Sequence, residues 1–255
     1  MEYRYLGATG VKVSPLCMGT MTFGKGADKS SAQAMFNRCR EAGINFFDCA
    51  DVYSEGEAER MLGEFISGCR QDLVLTSKVG SPMGGGINDR GCSRRHIMAS
   101  VESSLTRLRT DHLDIYFIHR FDGNTPLEET LRAFEDLIRG GKIRYAGASN
   151  FAAWQVEKAL GIAKANGWAP LSCIQPMYNL VKRQAEVEIF PMAIEERLGV
   201  ISYNPLGGGI LTGKYSRETT PEGSRFTHWK MYADRYRDRW MHEAAEGFVE
   251  FARLR

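Results

Sequence analysis

The sequence predicts an α/β fold of the barrel kind, and three observations predict it. Short apolar runs that read as buried strands recur at roughly 30-residue intervals, the size of a β/α unit. Helical patterns with caps and glycine stops fill the gaps between them. Polar residues stand at the ends of these runs, where a parallel barrel gathers its strand C-termini around one mouth. The 255 residues suit a single barrel domain over 1–255.

Element by element, Tyr3–Leu6 and Val11–Val13 read as a hairpin around Gly7 and Gly10, and Leu16–Gly19 as the first buried strand. Ser30 or Ser31 can cap a helix running through Ala42, with Met35, Phe36 and Cys39 on one face and Gly43 as its stop. The strand Ile44–Phe47, a helix over Glu57–Ser67 and the strand Leu73–Ser77 follow. After a Gly-rich excursion from Gly80 to Gly91, Ser93 is an N-cap for a helix reaching Arg109. The strand Ile115–Ile118 delivers His119, and the next helix starts near Pro126 and stops at Gly140–Gly141. Strands over Tyr145–Ala148, Cys173–Gln175 and Val200–Tyr203 alternate with helices over Ala152–Asn166 and Gln184–Arg197. The rhythm then breaks into a Gly-rich loop, a polar and aromatic stretch from Ser216 to Trp240, and an amphipathic helix carrying Ala244, Phe248, Phe251 and Ala252. Seven barrel strands are expected and no eighth. An unclosed sheet leaves two unpaired edges, so the chain reads as a C-terminally shortened version of a longer one, lacking its last β/α unit.

With 43% hydrophobic and 25% charged residues the composition is that of an ordinary soluble protein, and a net charge of +2 gives no general attraction for nucleic acid or acidic membranes. No apolar run reaches the roughly 18 residues of a membrane span, and Met1–Leu6 lacks the apolar core of a signal peptide. The six cysteines are scattered without a Cys-x-x-Cys pair, which predicts free structural thiols and a cytoplasmic location. His112, His228 and His242 share no metal-ligand spacing, so no metal is expected.

The candidate site is Asp48, Tyr53, Lys78 and His119. A phenol is a poor acid near neutral pH, but a neighbouring ammonium stabilises the phenolate and readies it to exchange a proton. Lys78 can supply that charge, Asp48 can pair with Lys78, and His119 can donate a hydrogen bond to a carbonyl oxygen. Taken singly, a strand-end Asp is a helix cap or turn residue, and loop Tyr, Lys and His residues are surface. Delivery of complementary groups by three consecutive strand ends favours catalysis.

Phe47-Asp48-x-Ala50-Asp51-x-Tyr53 and Gly56-Glu57-Ala58-Glu59-Arg60-Met61-Leu62-Gly63 resemble the first signature of the aldo-keto reductases. Leu75-Thr76-Ser77-Lys78-Val79-Gly80, Asp114-Ile115-Tyr116 with His119-Arg120, Gly141-Lys142-Ile143-Arg144 with Ser149-Asn150, and Gln175-Pro176-x-Tyr178-Asn179 continue the likeness in order. The branch resembled contains bacterial oxidoreductases and the potassium-channel β subunits. The resemblance implies a (β/α)8 barrel that binds NADPH and reduces a small aldehyde or ketone. Tyr53 would be the acid/base, Lys78 would tune it, Asp48 would pair with Lys78, and His119 would orient the carbonyl. It further implies that Ser149, Asn150 and Gln175 hold the nicotinamide carboxamide, Tyr203 stacks on its ring, and Gly19 and Thr20 border the ribose, with Asp48 also at the cofactor.

By the same resemblance, Asn204, Pro205, Leu206, Gly207, Gly209, Leu211, Gly213 and Lys214 would wrap the pyrophosphate, with glycine amides approaching phosphate oxygens. Alone, that Gly-rich turn reads as a flexible surface loop. The family's residues after strand eight, which grip the adenosine and its 2′-phosphate, have no counterpart in the sequence. NADPH is thus expected by analogy, and NADH stays open. The alternative to a reductase is a nucleotide-sensing interaction module like the channel β subunits; a Lys78 Schiff-base aldolase is a third reading. Trp229, Met231 and Tyr232 could roof the substrate pocket.

Overall fold

A computed structural model describes residues 1–215 and 220–255. The first residues of the expected polar stretch, 216–219, lie outside the described residues. Two compact units emerge: Met1–Gln175 with Ala193–Ile201, and Pro176–Met192 with Ser202–Arg255.

In the first unit, β1 (Arg4–Tyr5) and β2 (Lys12–Val13) form the expected antiparallel hairpin. The strands β3 (Met18–Gly19), β4 (Phe46–Asp48), β5 (Val74–Val79), β6 (Leu113–Ile118), β7 (Ile143–Ser149), β8 (Leu171–Gln175) and β9 (Gly199–Val200) follow. Each pairs in parallel with the next, giving one sheet in sequence order. Helices α1 (Lys29–Glu41), α2 (Glu57–Phe65), α3 (Arg94–Leu108), α4 (Leu127–Arg139) and α5 (Ala153–Asn166) make the crossovers, and α6 (Ile189–Glu195) precedes β9. The fold class is the expected one: seven parallel strands and their helices, a partial (β/α)8 barrel with an N-terminal hairpin.

Burial explains the arrangement. Every residue of β5 is buried, as a strand covered on both faces requires. Inside the curl, Phe46, Val74, Ile115, Phe117, Cys173 and Ile201 cluster with Leu6 and Val13 of the hairpin segment. Outside it, Phe36 meets Phe47 with ring centroids 5.0 Å apart, and Tyr116 stacks on Phe134 at 5.4 Å. Each such large apolar side chain contributes about 1.5–3 kcal/mol on burial. Strand contact is close enough at Gly147 that a Cβ there would lie 2.5 Å from the Phe117 ring.

Local chemistry moved several boundaries. Asp28, not Ser30 or Ser31, caps α1, its carboxylate accepting the Ser31 amide at 2.8 Å; a negative charge there also suits the helix dipole. The strand β5 runs on to Val79, so Lys78 lies within it rather than past it. The helix expected over Gln184–Arg197 is broken into a 3-10 turn at Gln184–Glu186 and α6. Pro191 has no N–H to bond back to the preceding turn, and the break ahead of Ile189 leaves it in the first turn of α6, where no such bond is needed. The strand expected over Val200–Tyr203 is shorter and earlier, with Tyr203 in an isolated bridge to Met177.

The second unit holds a 3-10 segment over Gly207–Thr212 and the helices α7 (Arg225–His228), α8 (Lys230–Arg235) and α9 (Arg239–Arg253). Its centre is Tyr236, whose hydroxyl accepts from Asn179 Nδ2 at 3.0 Å and Asn204 Nδ2 at 2.6 Å. Met241 and Ala245 form the buried face of α9, while Phe248 and Phe251 stay exposed. Among the described residues, no helix is long and apolar enough to cross a membrane.

Candidate active site

Asp48 closes β4, and its partner in register on β5 is Thr76. Side chains two apart share a strand face, so Thr76 and Lys78 both turn towards Asp48. Thr76 Oγ1 donates to Asp48 Oδ1 at 2.7 Å, Gln175 Nε2 donates to the same oxygen at 2.8 Å, and Lys78 Nζ donates to Oδ2 at 2.6 Å. The Lys78 ammonium also donates to the Cys49 carbonyl at 2.7 Å and lies 3.2 Å from Tyr53 Oη. Lys78 is fully buried. Burial draws its pKa down, but the Asp48 carboxylate and Tyr53 outweigh that and leave it raised.

Tyr53 begins a 3-10 turn in which Ser54 and Glu55 take left-handed φ values of 49° and 56°, followed by Gly56 at 87°. Ser54 Oγ donates to the Phe23 carbonyl at 2.6 Å and ties this turn down. At Gly56 a Cβ would lie 2.8 Å from the Arg107 side chain, so glycine is needed for space as well as for φ.

The acidity of Tyr53 departs from the expectation. Burial pushes its pKa up to about 12, and the Lys78 ammonium offsets only part of that. Much of the ammonium's field is already spent on Asp48. His119 follows β6 directly, its ring 6.1 Å from that of Tyr53, edge to face. Burial, aided by the Lys78 charge, pushes its pKa down to about 3, so the imidazole is neutral at pH 7. The four side chains can therefore present an uncharged phenol backed by a cation, with an uncharged imidazole beside it.

The other expected residues of the first unit are also placed. Thr20 is buried, and both its amide and hydroxyl donate to the Asp48 carbonyl, which leaves Gly19 exposed beside it. Ser149 Oγ donates to the Gln175 carbonyl at 2.9 Å. Asn150, with a left-handed φ of 57°, donates from Nδ2 to the His119 carbonyl at 2.9 Å. These contacts link the ends of β6, β7 and β8 to Asp48.

In the second unit, Asn204 Oδ1 accepts the Gly208 amide at 2.8 Å, while the Gly207, Gly209 and Leu211 amides bond to carbonyls within the loop. Those four N–H groups bond to oxygens of the loop itself. Pro205, Leu206, Gly213 and Lys214 are exposed, and the Lys214 ammonium lies over the Tyr215 ring at 5.2 Å. Tyr203 is half-buried, its amide bonded to the Pro176 carbonyl.

Sequence reasoning missed the far face of β5. Ser77 Oγ donates to Glu59 Oε1 at 2.6 Å, and Arg107 Nε donates to Glu59 Oε2 at 2.6 Å, with Glu59 fully buried. Near them Asp51 is fully buried, and neither carboxylate oxygen closes a hydrogen bond; the Val52 amide only points towards it. Burial and the Glu59 charge push the Asp51 pKa up to about 7. The alternation of polar residues along Thr76-Ser77-Lys78 was the available signal for a second polar face.

A parallel α/β barrel sheet carrying a buried Lys–Asp pair against a tyrosine defines a recognisable class. Residues 15–253 match the aldo/keto reductase family, and the chain belongs to that family. It is 42% identical over 84% of its length to an uncharacterized oxidoreductase, YrpG, of Bacillus subtilis, covering 69% of that protein. It is 38% identical over 92% of its length to a probable voltage-gated potassium channel subunit beta of Arabidopsis thaliana, covering 74% of it. A protein of the same description from Oryza sativa is 39% identical, with 92% and 74% coverage. Family membership, with a relative named as an oxidoreductase, supports oxidoreductase activity at the level of class.

Proposed function

We propose that this chain reduces an aldehyde or ketone to an alcohol, with NADPH as cofactor and NADH as the alternative, and with Tyr53 as proton donor. The observation that carries the reading is the Lys78 ammonium, paired with Asp48 at 2.6 Å and 3.2 Å from the Tyr53 hydroxyl. When bound, the nicotinamide supplies hydride to the carbonyl carbon. A phenol near 12 is fully protonated at neutral pH, and an alkoxide is a much stronger base than a phenolate, so proton transfer from Tyr53 runs downhill. The adjacent ammonium stabilises the phenolate left behind. His119, neutral at pH 7, donates a hydrogen bond to the carbonyl oxygen and does not give up a proton.

The residues present fit a carboxamide. Gln175 spends its Nε2–H on Asp48 and keeps Oε1 as an acceptor, and Ser149 and Asn150 add polar groups at the neighbouring strand end. Lys214 of the second unit is proposed as a charge for phosphate, by resemblance alone. A cytoplasmic location fits the six free cysteines. The single domain over residues 1–255 is likewise a proposal, which one cooperative unfolding transition would support.

The test is consumption of NADPH or NADH with a panel of aldehydes, beside Tyr53→Phe. That variant is expected to keep the fold and bind cofactor while turnover collapses; near-normal turnover overturns the assignment. A second reading, a nucleotide-sensing module, draws on the two plant relatives named as channel subunits. A wild-type chain that binds cofactor but turns over no carbonyl compound would favour it.

A further inference from the structure

A neutral imidazole donates from one ring nitrogen only, so what His119 can do depends on which nitrogen holds the proton. The backbone of His119 is fixed at both ends: its amide donates to the Val79 carbonyl at 2.8 Å, and its carbonyl accepts from Asn150 at 2.9 Å. That places Nδ1 3.4 Å from Ser81 Oγ, two residues past the end of β5. The same hydroxyl oxygen lies 3.4 Å from Arg120 Nη2.

Directions now follow from donor and acceptor chemistry. A guanidinium has five N–H donors and no acceptor, so Arg120 can only donate to Ser81 Oγ. The serine proton cannot point back at a donor, and Ser81 is 2% exposed, which limits competition from water. Nδ1 is the acceptor within reach. A nitrogen that accepts carries no proton of its own, so with Ser81 donating to Nδ1 the ring proton would sit on Nε2. Among the described residues no carboxylate forms an ion pair with Arg120, and the Cys92 thiol donates to the Arg120 carbonyl at 3.8 Å.

We propose that Ser81 and Arg120 are positioning residues: a one-way relay from Arg120 through Ser81 to Nδ1 holds His119 as the Nε2–H tautomer, with that N–H free for a substrate carbonyl. The relay belongs to the resting protein; its kinetic consequence rests on the reductase reading above. Both contacts are long for hydrogen bonds, so the relay biases the tautomer rather than locking it. A bias worth about one net hydrogen bond predicts an effect near tenfold.

The experiment is a long-range proton–nitrogen correlation spectrum of protein labelled with 15N-histidine, with the His119 signals identified by their loss in His119→Asn. Wild type is expected to show a pyridine-like Nδ1 and a pyrrole-like Nε2. Ser81→Ala should move both nitrogens towards averaged values and lower kcat about tenfold while KM changes little. Ser81→Thr, which keeps the hydroxyl, should restore both readouts, and Arg120→Met should fall between. A pyrrole-like Nδ1 in wild type, or a His119 spectrum unmoved in both Ser81→Ala and Arg120→Met, overturns the relay. The expected spectrum in a chain that reduces no carbonyl compound would uphold the relay and sink the reductase reading. Turnover with the opposite tautomer would do the reverse.

Discussion

Asp48 and Asp51 stand three residues apart, both buried, and end in opposite circumstances. Asp48 accepts from Thr76, Gln175 and the Lys78 ammonium within 2.8 Å. Asp51 closes no hydrogen bond and feels the Glu59 charge, which with burial takes it up to about 7. Burial is common to both. Partners make the difference, and β5 deals them out by alternation, Thr76 and Lys78 to one face and Ser77 to the other. A carboxylate's depth in the protein therefore says little about its charge until its donors are counted.

The largest expected effect comes from Lys78→Met, which removes the strongest partner of Asp48. Turnover should fall at least about 100-fold. A buried carboxylate left without its cation should also lower stability by about 3–5 kcal/mol in urea unfolding. The double variant Asp48→Leu with Lys78→Met should recover most of that stability; no recovery would mean the pair is not what the stability depends on.

Asp51→Asn tests the other carboxylate. The unfolded chain releases this proton near 3.8 and the folded chain near about 7, so the folded state holds more protons between those values. Stability therefore falls as pH rises through that window, by about 4 kcal/mol in total. Asp51→Asn should flatten this slope, and a slope equal to wild type would show that the carboxyl is not held back by its surroundings.

Glu59→Gln should shift the Asp51 window to lower pH by removing the neighbouring charge. It should also cost about 1–3 kcal/mol, because glutamine keeps one acceptor oxygen for the two donors Ser77 and Arg107 and withdraws the counter-charge of Arg107. The smallest change is Thr76→Val, expected to cost about 1 kcal/mol by withdrawing one of three donors from Asp48. A cost as large as that of Lys78→Met would place the weight of the Asp48 site on the hydroxyl instead.

What could be read from the sequence followed the same division. Strand ends were legible because apolar runs and caps mark them, so Asp48 and His119 fell where expected, with Tyr53 five residues on, while β5 ran past its expected end and took in Lys78. The Glu59–Arg107–Ser77 contacts join residues on α2, α3 and β5; the alternation along Thr76-Ser77-Lys78 signals a second polar face, but no local pattern names its partners. The acidity of Tyr53 was misjudged because it is a contest of magnitudes, burial against one ammonium, that residue types alone do not decide. The break ahead of Pro191 was signalled in the sequence by that proline and outweighed by helical periodicity. The Gly207–Lys214 loop showed its glycines but not that its amides bond internally.

The left-handed run at Ser54, Glu55 and Gly56 carries a consequence for heat tolerance. Two side-chain-bearing residues wound against their natural hand hold about 1–3 kcal/mol of tension each, and the Ser54 clasp on Phe23 keeps that coil shut. On warming, such a coil is expected to open ahead of the sheet beneath it. The perch of Tyr53 would then be lost while the β-strands stay paired, so heat inactivation should run several degrees below the melting of the sheet.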